Sequence, residues 1–116
     1  MKKVTSFYYA TESDKSPVKH FIDSLDFKAQ LKFFYVKALL EEFGHRLPEP
    51  HAKYIGDEIF ELRFKGQEGH VRVLYFFFHQ DKVIFTNGFI KKSNRIPKRQ
   101  KALAVERKKA FLERQE

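Results

Sequence analysis

The sequence lacks cysteine and tryptophan, and it has little glycine, proline or methionine. Among its 116 residues there are five glycines, four prolines and one methionine. Without cysteine, disulfides and thiolate metal sites are excluded, and nothing indicates an oxidising compartment. A chain of this length fits one domain and can bury a core without such crosslinks.

Long apolar runs are also absent. The first residues place Lys2 and Lys3 ahead of a short mixed segment, which makes a poor signal peptide. No stretch has the roughly 20 apolar residues that a membrane-spanning helix requires. From the sequence we therefore expect a soluble cytoplasmic protein.

Positive charge, in contrast, is abundant and unevenly placed. The chain has 23 Lys and Arg against 15 Asp and Glu, a net charge of +8. Residues 1–90 have 13 basic and 12 acidic side chains, whereas residues 91–116 have 10 and 3. Such a basic block often contacts phosphate groups or an acidic partner, although a solvated terminal helix has the same composition.

The first part of the chain predicts one strand, over residues 3–10, and two helices. Ser16 is placed to cap the first helix, and Pro17 fits its first position. Asp26 is placed to cap the second helix, and Gly44 marks its end. Helical spacing gives each helix one apolar face, and both faces are predicted to cover a sheet as a helical hairpin. The first face consists of Val18, Phe21, Ile22 and Leu25, and the second of Phe27, Leu31, Phe34 and Ala38, with Tyr35 and Leu39 beside them.

The rest of the chain predicts a loop, three strands and a last helix. Residues 45–57 are punctuated by two prolines and a glycine, which indicates a loop. Short polar links between the strands suit antiparallel hairpins. The predicted strands are 58–65, 69–79 and 82–90, and the helix begins near Pro97. These elements indicate a single α+β domain over residues 1–116.

Two arginines lie inside the otherwise apolar strands. Side chains alternate along a strand, so Glu61, Arg63 and Lys65 share one face. Two pairings, Lys65 with His70 and His79 with Lys82, set the register of both hairpins, and a slip of one residue would scatter the basic residues. The group predicted to meet at one end of this face is Arg63, His70, Arg72, Phe89 and Lys91.

This group favours an anion site. Like charges placed directly opposite each other destabilise a sheet, so a structural role predicts one arginine with a carboxylate partner, for which Glu61 is the candidate. Arginine suits bidentate contact with phosphate, and the Phe89 ring offers a surface for a stacked base. We interpret the group as a phosphodiester site; the alternative is that both arginines extend over their aliphatic stems to solvent.

Several short motifs together resemble a known family. The stretches "VKHFIDSLD", "KYIGDEIFELR", "VRVLYFF" and "GFIKKSNRIPKRQ", followed by a basic helix, resemble the HigB-type branch of the RelE/ParE toxin superfamily. The similarity extends from about Val18 to the last helix. It implies a RelE-like α+β domain with a small antiparallel-rich sheet, an N-terminal helical hairpin and a basic C-terminal helix.

The resemblance also implies a function. Such proteins are toxins of type II toxin–antitoxin systems, and the HigB type is an endoribonuclease that cuts mRNA, usually on the ribosome, without a metal or another cofactor. The implied partners are a helix-turn-helix antitoxin of the HigA type, mRNA and the ribosome, with no membrane. A gyrase inhibitor of the ParE type and a non-catalytic nucleic-acid-binding protein remain alternatives.

The resemblance assigns roles to named residues. Arg63, Arg72, Lys91 and Lys92 match positions that hold catalytic or RNA-binding basic residues in the family. From the positive charge of the tail we further expect Lys98, Arg99 and Lys101 to bind RNA. Some relatives use a tyrosine or histidine near the C-terminus for proton transfer, but none follows Lys92 in this chain. The general base is therefore open between His70, Glu61 and a lysine whose pKa is lowered.

Overall fold

A five-stranded mixed sheet forms the centre of the molecule, with helices on both of its faces. The computed structural model describes residues 2–115. The elements are β1 Thr5–Tyr8, α1 Pro17–Asp23, α2 Phe27–Phe43, β2 Ala52–Gly56, β3 Ile59–Gly66, β4 Gly69–Phe78, β5 Lys82–Lys91 and α3 Lys98–Arg114, with a 3-10 turn at Gly44–Arg46. The strand order is β1-β5-β4-β3-β2; β1 runs parallel to β5, and the other neighbours are antiparallel.

The predicted helix ends are mostly confirmed. The Asp26 carboxylate accepts a hydrogen bond from the Ala29 N–H at 3.1 Å and so caps α2. Gly44 ends this helix with φ at +58°, a conformation that favours glycine. Ser16 occupies the N-cap position and Pro17 the first position of α1, as predicted, but the predicted capping by Ser16 is wrong in that its hydroxyl makes no capping bond.

The predicted loop contains a strand that the sequence pattern did not show. Within residues 45–57, β2 pairs with the start of β3, with Ala52 opposite Leu62. This is an edge strand on which Lys53 and Tyr54 are both exposed, so the alternation of apolar and polar residues is weak. The register also shifts between Tyr54 and Gly56.

The predicted apolar face of α2 is wrong. The side chains buried against the sheet are Ala29, Phe33, Val36 and Leu40. Ala29 lies so close to Gly66 of β3 that a Cβ on that glycine would be 2.8 Å from the alanine Cβ. The predicted stripe faces outward, because α2 has two apolar faces and only one can contact the sheet. The outward side chains include Phe27, Leu31, Phe34, Tyr35 and Ala38.

The other face of the sheet is covered by α3. Ala104 is fully buried, and the Phe111 ring lies 5.6 Å from Phe76 and 5.0 Å from Phe78 between ring centres. The Arg107 guanidinium donates to the Thr86 carbonyl at 2.8 Å. Part of the basic helix is therefore packed on the sheet. In residues 2–115 no helix has the length and apolar character needed to cross a membrane.

A candidate basic cleft at the end of the sheet

The predicted register at the basic end of the sheet is confirmed. Arg63 lies opposite Arg72, and Arg72 lies opposite Phe89. The next row is formed by Lys65, His70 and Lys91.

The strand register is different at the other end of this hairpin. Phe78, and not His79, is opposite Lys82. A bulge then leaves Thr86 unpaired between the Leu74–Asn87 and Tyr75–Phe85 pairs. The pairing at the turn is shifted by one residue from the predicted pairing, and the extra residue on β5 reverses that shift. Beyond the bulge, Arg72 is therefore opposite Phe89, as predicted.

A buried carboxylate lies between the two arginines. Glu61 is 1% exposed, and its Oε1 is 3.4 Å from Arg63 Nε and 3.7 Å from Arg72 Nε. The sequence analysis had offered Glu61 as the carboxylate partner of one arginine, in the case of a structural role. Sharing one counter-ion explains how two guanidinium groups occupy directly opposite positions in a sheet.

Arg72 is the more enclosed of the two arginines. It is 5% exposed, and one of its terminal N–H groups donates to the Val71 carbonyl at 2.9 Å. Burial lowers the pKa of Arg72, the charge of Glu61 opposes this change, and the charge of Arg63 adds to it. The Arg72 Nε and the Glu61 Oε2 have no hydrogen-bond partner in the described part of the chain. The Arg72 guanidinium is therefore held by Glu61 and by the Val71 carbonyl, while its Nε still has a hydrogen bond to donate.

Arg63 is more accessible. About a quarter of its side chain is exposed, and its NH1 lies 3.3 Å from Glu49 Oε1, on a side chain that is 64% exposed. An exposed ion pair of this kind contributes little stability, so Glu49 holds Arg63 only weakly. Arg63 is thus the more accessible of the two guanidinium groups.

These groups line a shallow cleft of about 320 Å³. The cleft also includes His51, which is not among the site residues predicted from the sequence. The Arg63 N–H donates to the His51 carbonyl at 2.8 Å, which places His51 opposite Arg63 just before β2. Recognition of β2 in the sequence would have revealed this neighbour. The lining residues are Pro50, His51, Arg63, Phe64, Lys65, His70 and Arg72.

Two of the predicted site residues do not have the predicted environment. Phe89 is 7% exposed in the core beneath α3, so its ring offers no surface for a stacked base. Glu61 is a poor candidate for the general base, since it is buried and flanked by two guanidinium groups. Lys91 is half-buried opposite His70, and Lys92 is exposed beyond the end of β5.

The basic C-terminal residues fall into two groups. Lys98 and Arg99 are exposed at the start of α3, whereas Lys101 Nζ lies 3.1 Å from Asp57 Oδ2. Further along the helix the cations contact the sheet, because Lys108 lies over the Phe76 ring and both Arg107 and Arg114 lie over the Tyr9 ring. The positive charge of the tail is therefore partly structural.

In the part of the chain that the structure describes, no cluster of three or more His, Asp or Glu side chains is arranged to hold a metal ion. The comparison with curated proteins gives no match. The model of one family, described as "Phage derived protein Gp49-like (DUF891)", matches residues 20–109, which include the basic cleft and most of α3. The chain therefore belongs to the Gp49-like family of phage-derived proteins, a family of RelE-like and toxin-like proteins.

Proposed function

We propose that this protein is a HigB-type toxin of a type II toxin–antitoxin system and that it cuts mRNA as a metal-independent endoribonuclease. The observation that most supports this proposal is the pair of arginines fixed by Glu61 at the base of an open cleft with two histidines. Membership of a toxin-like family gives independent support. The cleft is shallow and basic, which suits a polyanion better than a small apolar ligand.

The proposed reaction is an internal transesterification of RNA. The 2′-oxygen of one nucleotide attacks the adjacent phosphorus, and its proton passes to a general base. The bond from phosphorus to the 5′-oxygen breaks, and that oxygen accepts a proton from a general acid. The products are a 2′,3′-cyclic phosphate and a free 5′-hydroxyl. The nucleophile belongs to the substrate, so the protein does not need a nucleophilic side chain.

The cleft residues match the needs of this reaction. Arg63 and Arg72 are placed to stabilise the extra negative charge on the phosphorane, and fixed donors of this kind are worth about 10²–10³ in rate. His70 and His51 line the same cleft and are the candidates for proton transfer, which contributes roughly 10²–10⁴-fold. Lys91, next to His70, is a further donor to the phosphate or the leaving group.

Substrate and partner follow from the same proposal. The substrate is mRNA, which we expect to be bound to the ribosome, and the exposed Lys92, Lys98 and Arg99 are available for phosphate contacts. The partner is a HigA-type helix-turn-helix antitoxin. In this proposal Glu61 has the role of positioning both arginines rather than that of a base.

Expression of the chain alone in a bacterial host tests this function. We expect growth to stop and new 5′ ends to appear inside coding regions of mRNA. Arg63→Gln should restore growth, because it removes the accessible cation of the cleft while Glu61 and Arg72 remain paired. Lys19→Gln, an exposed cation on α1, is the matched control and should stay toxic. Growth arrest with intact mRNA and gyrase-dependent DNA damage would replace this proposal with a ParE-like one.

A further inference from the structure

The outward face of α2 exposes large apolar side chains. Phe27 is 73% exposed, Leu31 53%, Phe34 52% and Tyr35 62%. These residues are consecutive along one side of a single helix, and together with Ala38 they form a continuous stripe. Soluble monomers rarely expose apolar patches of this kind unless the patch binds something.

The spacing of the stripe suits a second helix. Phe27, Leu31, Phe34 and Ala38 are separated by four, three and four residues, which is the repeat of a two-helix seam. Over these residues the stripe is about 17 Å long, at 1.5 Å per residue. The 4-3-4 repeat places the four side chains in one line facing the partner helix. We call these four residues the α2 seam.

The apolar surface continues beyond the end of the α2 seam into a groove of about 710 Å³. The apolar lining of the groove comes from Tyr35, Leu39, Phe43, Leu47 and Pro48. Lys3 and Arg46 add positive charge to its lining. An occupant of the seam that extends past α2 therefore meets further apolar side chains and two cations.

The other end of the α2 seam is also positively charged. A second hollow beside Phe27 is lined by Lys28, Lys32 and Lys65. Among residues 2–115, none of these lysines forms an ion pair within 4.0 Å. Asp26 lines the same hollow, but its two oxygens accept the backbone N–H groups of Ala29 and Gln67. The three lysines therefore remain available to acidic groups of an occupant.

These charges disfavour a second copy of the chain as the occupant. A second copy would bring its own lysines to the same surface, because both copies carry Lys28, Lys32 and Lys65 around Phe27. Like charges in contact are unfavourable, and the chain has a net charge of +8 in any case. An acidic occupant meets no such repulsion.

We propose that the α2 seam is the docking surface for an amphipathic helix of another protein, with apolar residues at heptad spacing and Asp or Glu on both sides of them. The α2 seam and the basic cleft belong to opposite faces of the sheet, since α2 covers the face of Leu62 and Val73 and the arginines project from the other. Lys65 and His51 border both regions, since each lines the cleft and one of the two hollows at the ends of the seam, but none of the four seam residues lines the cleft. Because the proposal is argued from the exposed side chains of the seam, it does not depend on the RNA-cleavage proposal.

Selection from a displayed library of random helical peptides tests the docking surface. The library is selected on the full-length protein and counter-selected on the Leu31→Ser/Phe34→Ser variant, whose substitutions leave no cavity because both side chains are exposed. We expect enriched peptides to combine heptad-spaced apolar residues with an excess of Asp and Glu, and to lose at least tenfold in affinity on the variant. Lys28→Gln/Lys32→Gln should weaken the same peptides, and Lys109→Gln on α3 should not.

Light scattering and thermal unfolding of the same proteins complete the test. We expect the wild-type chain to be a monomer and the Leu31→Ser/Phe34→Ser variant to retain its melting temperature. A wild-type dimer that this variant dissolves would overturn the proposal in favour of a second copy. Enriched peptides that lack acidic residues or bind the variant equally well, or the absence of any enriched peptide, would also overturn it. RNA cleavage should be the same in both proteins, so a failure here is distinguishable from a failure of the ribonuclease proposal.

Discussion

Glu61→Gln removes the negative charge that the two cleft arginines share, with little change in volume. At an effective dielectric constant of about 20, a charge pair separated by 3.7 Å contributes about 4.5 kcal/mol. Glutamine still offers an oxygen to one arginine, but both guanidinium groups then lack a counter-ion in the buried part of the cleft. Removal of one partner from a buried ion pair typically costs about 3–5 kcal/mol. Because Arg63 is partly exposed, we expect a loss of about 3 kcal/mol.

Urea unfolding measures this loss directly. An unfolding entropy of about 2.1 cal/mol/K per residue over the 116 residues means that a loss of about 3 kcal/mol also lowers the melting temperature by roughly 12 °C. Glu49→Gln is the matched control, because Glu49 contacts the same Arg63 at 3.3 Å but is 64% exposed. We expect Glu49→Gln to change stability by less than about 1 kcal/mol, as for other exposed pairs.

A double-mutant cycle separates the pair from its surroundings. Arg72→Met removes the buried cation, so the double variant Glu61→Gln/Arg72→Met should lose less stability than the sum of the two single variants. The burial of Arg72 against Glu61 predicts that Arg72→Ala also destabilises the fold. If Glu61→Gln unfolds at the same urea concentration as the wild type, the shared carboxylate does not hold the arginines and the reasoning fails.

Three further predictions concern the helix ends and the basic tail. The pKa of Asp26 is lowered from 3.8, first by the hydrogen bond from the Gln67 backbone, so its stabilising effect is present above about pH 4 and is lost as the pH falls through the folded pKa. Asp26→Asn should therefore be less stable than the wild type at pH 7 and equal to it near pH 2 in thermal unfolding; a difference that persists at low pH would contradict this. Arg107→Gln removes the bond to the Thr86 carbonyl and should cost about 1–2 kcal/mol in urea unfolding, with Lys109→Gln unchanged. Replacement of Lys98 and Arg99 by glutamine should reduce the salt dependence of RNA binding by a slope of roughly 0.7 per lost contact, and an unchanged slope would show that they do not contact RNA.

The order of the three helices and of four of the five strands could be predicted from the sequence because its signals are local. Pro17, Asp26 and Gly44 mark helix ends through their own backbone and capping chemistry. The apolar face of α2 could not be predicted, because both of its faces are apolar at helical spacing. The shape of the sheet surface decides that the face with Ala29 and Phe33 is the buried one. Helical periodicity contains no information about that shape.

The cleft was predictable only in part, for a similar reason. Alternation along β3 and β4 is enough to place Arg63 opposite Arg72, and the register at this end was correct because the bulge at Thr86 cancelled a shift at the hairpin tip. The sharing of Glu61 between both arginines depends on side-chain packing that no spacing rule contains. His51 lies in the cleft because it directly precedes β2, which pairs with β3. The pattern of apolar and polar residues in β2 was too weak for the strand to be recognised.

The most direct test of the central claim uses an mRNA with one nucleotide changed. Purified protein is incubated with translating ribosomes in a buffer that retains Mg²⁺, and with naked RNA in EDTA, and the fragment ends are identified by mass spectrometry. The account predicts 2′,3′-cyclic phosphate and 5′-hydroxyl ends. It also predicts loss of cleavage at a site whose 2′-hydroxyl is replaced by hydrogen, and a fall of at least 10²-fold with Arg63→Gln. Cleavage at the 2′-deoxy site, or intact RNA under both conditions, would contradict it.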